Sequence, residues 1–196
     1  MLRSLIAPLA AAALLSVAGT AQSAIFVFTA NMDGATEVPP NLSQASGFTT
    51  VTVDDTADTM QVDITYNDLT GGPPGAAHIH CCIAPGSNIG VAVGFPNFPI
   101  TTSGVYNHLF DLTDASIYTL SFLNNFGGGT AAGAQAALFN GFVDGQAYSN
   151  IHNGEFPGGE IRGQLAAVPE AGTWALMILG FGAVGLALRR RRPAFA

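Results

Sequence analysis

An all-β fold, a Greek-key sandwich or barrel with one short helix, is what the sequence predicts for the centre of this chain. Three observations carry that prediction. Short runs rich in Val, Ile, Thr and Phe recur between Ala24 and Val168. Clusters of Gly, Pro, Asn and Asp separate them, as turns require. One run, Met60–Tyr66, alternates without a fault, with Met60, Val62, Ile64 and Tyr66 on one face and Gln61, Asp63 and Thr65 on the other.

The elements follow in chain order. Ile25–Ala30 reads as the first strand. Phe48–Val53 and Met60–Tyr66 read as a hairpin, because Asp54–Asp58 between them is turn chemistry. Ala76–Cys82, Val91–Phe95, Val105–Leu112, Tyr118–Leu123, Tyr148–His152 and Glu160–Leu165 are the remaining strands. Alanine-rich Thr130–Asn140 is the one helix, about three turns long. No internal repeat or interdomain linker interrupts this order, so residues 25–168 read as one domain between two end segments, 1–24 and 169–196.

Both ends are apolar, and this is where the 48% hydrophobic content is concentrated. At the start, Arg3 precedes an apolar run from Leu5 to Val17. Gly19, Ala21, Ser23 and Ala24 then supply small residues for a cleavage site. That is a secretory signal peptide over residues 1–24, the other reading being an uncleaved anchor. At the end, Pro169, Glu170 and Ala171 precede an apolar stretch running to Leu188. Trp174 stands near one boundary, and Arg189, Arg190, Arg191 and Arg192 at the other. Eighteen residues of helix reach about 27 Å, enough for a bilayer core, so a C-terminal transmembrane sorting helix with a cytoplasmic arginine tail is expected.

The chain has no lysine, and Arg162 is the only basic residue between Ala24 and Val168, against twelve acids. A formal charge of −11 over that stretch repels phosphate backbones and excludes nucleic-acid binding as a primary role.

Chemistry concentrates in three segments. In Ala76–Cys82, His78 and His80 stand on one face of a strand, roughly 7 Å apart at Cα, near enough to converge on one metal ion. Tyr148–His152 adds a third histidine. In Phe156–Leu165, Glu160, Arg162 and Gln164 share a face. His78, His80 and His152, or two of them with the Glu160 carboxylate, would give a metal three protein ligands and leave one position open. The plainer reading is structural: imidazoles bonded to backbone or facing solvent, and Glu160 ion-paired with Arg162. His108 lies outside these segments and reads as an ordinary strand residue.

Cys81 and Cys82 are the only cysteines. An exported protein with two cysteines is expected to join them, but neighbouring Cα atoms lie closer than an ordinary disulfide allows. A vicinal disulfide, free thiols, or Cys82 as a soft ligand beside the histidines all stay open; the last would favour copper or zinc. There is no G-x-S-x-G, P-loop, H-E-x-x-H or EF-hand spacing.

Two resemblances add to this. Pro169–Ala171, the short apolar span and the arginine run resemble the PEP-CTERM sorting signal of exopolysaccharide-forming Gram-negative bacteria. Ala171 replaces the usual second proline. The resemblance implies recognition and cutting by an exosortase-type enzyme, transient contact with the membrane, and delivery to the envelope, cell surface or extracellular matrix. Glu37-Val38-Pro39-Pro40, Gly47, Ala77-His78-Ile79-His80, Tyr148-x-Asn150-Ile151-His152 and Pro157-Gly-Gly-Glu160-Ile161-Arg162-Gly163-Gln164 resemble the CHRD domain, the module named for chordin. Cys81–Cys82 depart from that pattern, where glycines usually follow the histidines. The resemblance implies a single β-rich domain and no particular reaction.

The function expected is therefore a non-enzymatic binding or structural module of the surface or matrix, whose partner would be polysaccharide or a surface protein, with the histidines open to either a metal-binding or a structural role. The rival is a small extracellular metalloenzyme. An H-x-H strand on a Greek-key barrel resembles copper/zinc superoxide dismutase, although four histidines are too few for a binuclear site.

Overall fold

A computed structural model describes residues 24–169 and 171–190. The expected signal peptide, except for Ala24, lies outside the described residues, as do Glu170, Arg191 and Arg192, and the side chains of Ala171, Trp174 and Arg190 are not described. Nine strands form one antiparallel sheet: β1 Ile25–Asp33, β2 Ser46–Asp54, β3 Thr59–Asn67, β4 Ala76–Cys81, β5 Val91–Gly94, β6 Gly104–Asp111, β7 Ala147–His152, β8 Ile161–Gln164 and β9 Ala166–Ala167. The order across the sheet is β5-β4-β7-β8-β1-β2-β3-β6, with β9 also beside β1. The first and last strands therefore meet mid-sheet, where Asp33 faces Arg162 and Phe28 faces Ala167.

The strand content agrees with the sequence reading, but the arrangement is neither two stacked sheets nor a closed barrel. It is one sheet curled into a half-barrel. Aromatics near its two edges meet across the opening: Phe95 just beyond β5 lies 5.3 Å from the Tyr106 ring and 6.3 Å from that of Phe110, both on β6. The β2–β3 hairpin forms as expected. Asp54 Oδ1 accepts from the backbone N–H groups of Thr56 and Ala57 at 2.9 Å, and Asp58 takes the positive φ of 52° that closes the turn. Along β3 the predicted apolar face is the buried one: Met60, Val62, Ile64 and Tyr66 all lie in the core.

Two short helices replace the single one expected. α1 spans Leu120–Asn125, and α2 spans Ala131–Val143. The strand expected over Tyr118–Leu123 is absent. Tyr118 makes one bridge to Val93, and Thr119 then caps α1, its hydroxyl accepting from Phe122 N at 3.2 Å. That cap turns a β-like run into a helical turn. α2 is capped likewise by Thr130, and it buries Ala134, Leu138, Gly141 and Phe142 against the sheet. Phe142 meets Phe28 of β1 at 5.1 Å between ring centroids.

A third helix, α3, covers Ala171–Arg190. Its described apolar residues stand out in the open, with Ile178, Leu179 and Phe181 each about 70% exposed or more. Among the described residues no helix is long and apolar enough to cross a membrane. The expected sorting helix is thus present as a helix, and its transmembrane character is not supported.

Candidate metal centre

The register of three strands builds the site. β4 pairs with β7 so that Ala76 faces His152, His78 faces Asn150 and His80 faces Tyr148. β7 pairs with β8 so that Asn150 faces Arg162 and Tyr148 faces Gln164. His78, His80 and His152 share one face and lie diagonally across two strands. Their ring centroids are 5.6, 5.1 and 6.0 Å apart for the pairs 78–80, 78–152 and 80–152. One nitrogen from each ring lies within 4.8 Å of the others.

Hydrogen bonding decides which nitrogens are free. His80 Nδ1 lies 2.8 Å from the Ile89 carbonyl, and His152 Nδ1 lies 3.0 Å from the Pro157 carbonyl. A carbonyl can only accept, so both Nδ1 atoms carry hydrogen and both Nε2 lone pairs are free. His80 Nε2, His152 Nε2 and His78 Nδ1 are all buried without a partner. Backbone carbonyls that hold the distal N–H of a histidine are the usual outer support of a metal-binding imidazole. A metal–nitrogen bond of about 2.0 Å would require three ring nitrogens within 4.8 Å of one another to close in by less than ~1 Å each.

Burial also keeps the rings neutral. His78 is pushed down to about 4, first by burial and then by the neighbouring His152 and His80. His80 is likewise pushed down to about 4 by burial, with the Ile89 carbonyl opposing and His152 and Arg162 adding to the shift. His152 is lowered by burial, against the Pro157 carbonyl. At neutral pH all three are unprotonated lone-pair donors, the state a metal requires.

The other expected ligands stand elsewhere. Glu160 precedes β8 and is fully buried, but it is occupied as a latch between loops. Its Oε1 accepts from Ser43 Oγ at 2.6 Å, Thr70 N at 2.6 Å and Thr70 Oγ1 at 2.8 Å. Its Oε2 accepts from Gly71 N at 3.4 Å and from Asn153 Nδ2. Burial pushes this carboxyl up, but the bonds from Ser43, Thr70 and Asn153 together outweigh it and hold it below the usual range. Nor does Glu160 pair with Arg162. The arginine's partner is Glu37, with Nε 3.3 Å from Oε2. Burial raises Glu37 to about 7, against the pull of Arg162 and the hydrogen bond from Asn150.

Cys81 and Cys82 are joined to each other by a disulfide. β4 ends at Cys81, so the alternation that would set Cys82 beside the histidines stops there. Cys82 Sγ instead lies against α2, 3.4 Å from the Ala137 carbonyl, and as a disulfide sulfur it has no thiolate to offer. His108 sits on β6, its ring 4.5 Å from Phe110; it is not part of the converging trio, although it lines the same groove as His78.

Sequence reasoning missed the wall of the site. The Tyr148 ring stacks on His80 at 4.6 Å with 8° between planes, and the Arg162 guanidinium lies 3.9 Å from the Tyr148 ring centroid. Arg162 also donates to the Ser87 carbonyl at 3.2 Å and to Asn88 Oδ1, and Ile89 N donates to Tyr148 Oη at 3.3 Å. These bonds hold the 82–90 loop over the sheet, which is how Ile89 reaches His80. The period of two along β7 places Tyr148 and His152 on one face and could have signalled the tyrosine. Glu37 gives no such signal, because its loop joins the site only through the fold.

The comparisons with known proteins bear on family and sorting. The model described as the CHRD domain matches residues 28–165. That described as the PEP-CTERM protein-sorting motif matches residues 167–192. No curated protein and no solved structure matches the chain.

Proposed function

The chain belongs to the CHRD domain family, and from that premise we propose that it is an exported module whose three histidines hold a single copper or zinc ion. Export to the bacterial cell envelope or surface, and processing by exosortase-type machinery, are what its PEP-CTERM motif implies. Residues 1–24 would be removed on export, residues 25–168 would form the mature body, and residues 169–196 would serve sorting. A Gram-negative envelope and a polysaccharide or surface-protein partner complete the reading.

The metal assignment is carried by three histidines that bring one ring nitrogen each within 4.8 Å of one another, while each ring also holds a buried nitrogen without a partner. Leaving such atoms dry and unpaired costs about 1–3 kcal/mol each, and a shared cation offsets that cost. The non-enzymatic reading is favoured over a metalloenzyme because those same nitrogens are essentially closed to water. A catalytic ion needs an open position for substrate.

The test is metal content by elemental mass spectrometry on the full-length protein, beside a His78→Ala/His80→Ala variant. Near-stoichiometric copper or zinc, lost in the variant while circular dichroism is unchanged, is the expected result. A metal-free protein that gains neither ion on reconstitution overturns the assignment.

A further inference from the structure

We propose that the site selects monovalent copper and holds it three-coordinate, away from water. This rests on the reading above that the histidines bind a metal, and adds which ion and in which oxidation state.

The donor set comes first. All three ligand atoms are neutral imidazole nitrogens, and no carboxylate or thiolate joins them among the described residues. The nearby candidates are engaged elsewhere. Glu160 is surrounded by five donors, Glu37 is held by Arg162 and Asn150, and the two sulfurs are bonded to each other. The charge of a bound ion is therefore not compensated by any ligand. A divalent ion buried this way carries twice the charge of a monovalent one, and burying charge becomes more costly as the charge rises.

The surroundings act in the same direction. Arg162 is buried and lies on the Tyr148 ring, which itself stacks on the His80 ligand. The stack fixes His80 in place with a cation behind it. Glu37 moderates that cation, but Glu37 is itself raised to about 7 and is only partly ionised near neutrality.

Coordination number decides the rest. Zinc takes four ligands in closed sites and adds a water in open ones. Divalent copper prefers a tetragonal set of four or more. A groove of about 670 Å³ between β5 and β6, lined by His78 and His108, approaches the site, yet the three unpartnered nitrogens themselves stay inaccessible to water, which disfavours a water as the fourth ligand. Monovalent copper has a closed d-shell with no demand for a fourth ligand, and three imidazoles satisfy it.

The test uses the full-length protein under anaerobic conditions. Monovalent copper is presented through a colorimetric chelator buffer, zinc is titrated in competition, and the copper-loaded protein is measured by X-ray absorption. The expected result is monovalent copper held at least about a hundredfold more tightly than zinc, with three nitrogen neighbours near ~2.0 Å. The His152→Ala variant, checked for folding by circular dichroism, should lose at least about tenfold of that affinity. Zinc bound as tightly as monovalent copper, or a copper centre with a fourth water ligand, overturns this inference and leaves the metal site standing. Binding of neither ion overturns both.

Discussion

Replacing Glu160 should loosen the loops that frame the metal centre, and the structure gives the size of the effect. In Glu160→Gln one oxygen stays at Oε1 and keeps the bonds from Ser43 and Thr70. The new NH2 then faces two donors, Gly71 N and Asn153 Nδ2. Asn153 cannot simply flip to accept, because its Oδ1 accepts from Phe156 N at 3.0 Å and its Nδ2 donates to the Gly72 carbonyl at 3.3 Å. Losing two charge-assisted bonds at a fully buried position should cost about 2–3 kcal/mol. Glu160→Ala leaves all five donors without this acceptor and should cost about 4 kcal/mol, softened where water enters. Urea titration followed by circular dichroism reads both numbers, and in thermal melts Glu160→Gln should lower Tm by ~5–10 °C. The pH dependence supplies a second readout. The carboxyl is depressed in the folded state, so its stabilisation is present above its unfolded value of about 4.5 and is lost as pH falls through the folded value. The gap between wild type and Glu160→Gln should therefore narrow below pH ~4.5. A Glu160→Gln protein within ~0.5 kcal/mol of wild type at pH 7 would refute the latch.

The histidines and Glu37 make opposite contributions to acid stability. His78 and His80 fall from 6.5 unfolded to about 4 folded, so their contribution is present above pH 6.5 and is lost as pH falls toward 4. Glu37 rises from 4.5 to about 7, so its contribution is present below 4.5 and is lost as pH rises through 7. After discounting for partial exposure, metal-free protein should lose about 2 kcal/mol between pH 7 and pH 4.5, and Glu37→Gln should steepen that loss; an equal or shallower acid slope in urea titrations would contradict it. Gly141→Ala should cost about 1–3 kcal/mol rather than gain the usual helix preference. The added Cβ would press into Cys81 Sγ and lie 2.8 Å from Cys82 Sγ, and a urea midpoint at or above wild type would show that α2 can yield. Truncation after Val168 should leave the melting transition unchanged, because the last backbone bond of the sheet, Val168 N to the Val27 carbonyl at 2.8 Å, is retained. The truncated protein should no longer be sorted to the surface, which cell fractionation would read.

Local pattern reached far along this chain. The alternation in Met60–Tyr66 identified both the strand and its buried face, and the aspartates of residues 54–58 identified the hairpin. The H-x-H spacing of residues 78–80 placed two rings on one face because the period of a strand is a local property. Where local preference and tertiary context disagreed, the sequence reading failed. Tyr118–Leu123 has β-like composition, but the Thr119 cap starts a helix there. The period of two puts Glu160, Arg162 and Gln164 on one face, yet Glu160 precedes the strand and is bonded to two distant loops, at Ser43 and Thr70, and to Asn153 of its own turn.

The sequence by itself determined most of the strands, the one-sided alternation of β3 and the acidic body, since each depends on neighbours within a few residues. Only the tertiary structure decided that β7 lies beside β4 and brings His152 to His78 and His80. It alone decided that Glu37 answers Arg162, and that the cysteines bond to each other rather than to an ion. These pairings join residues 70 to 125 positions apart or turn on where a strand ends. Strand order and burial set them, and no local period encodes either.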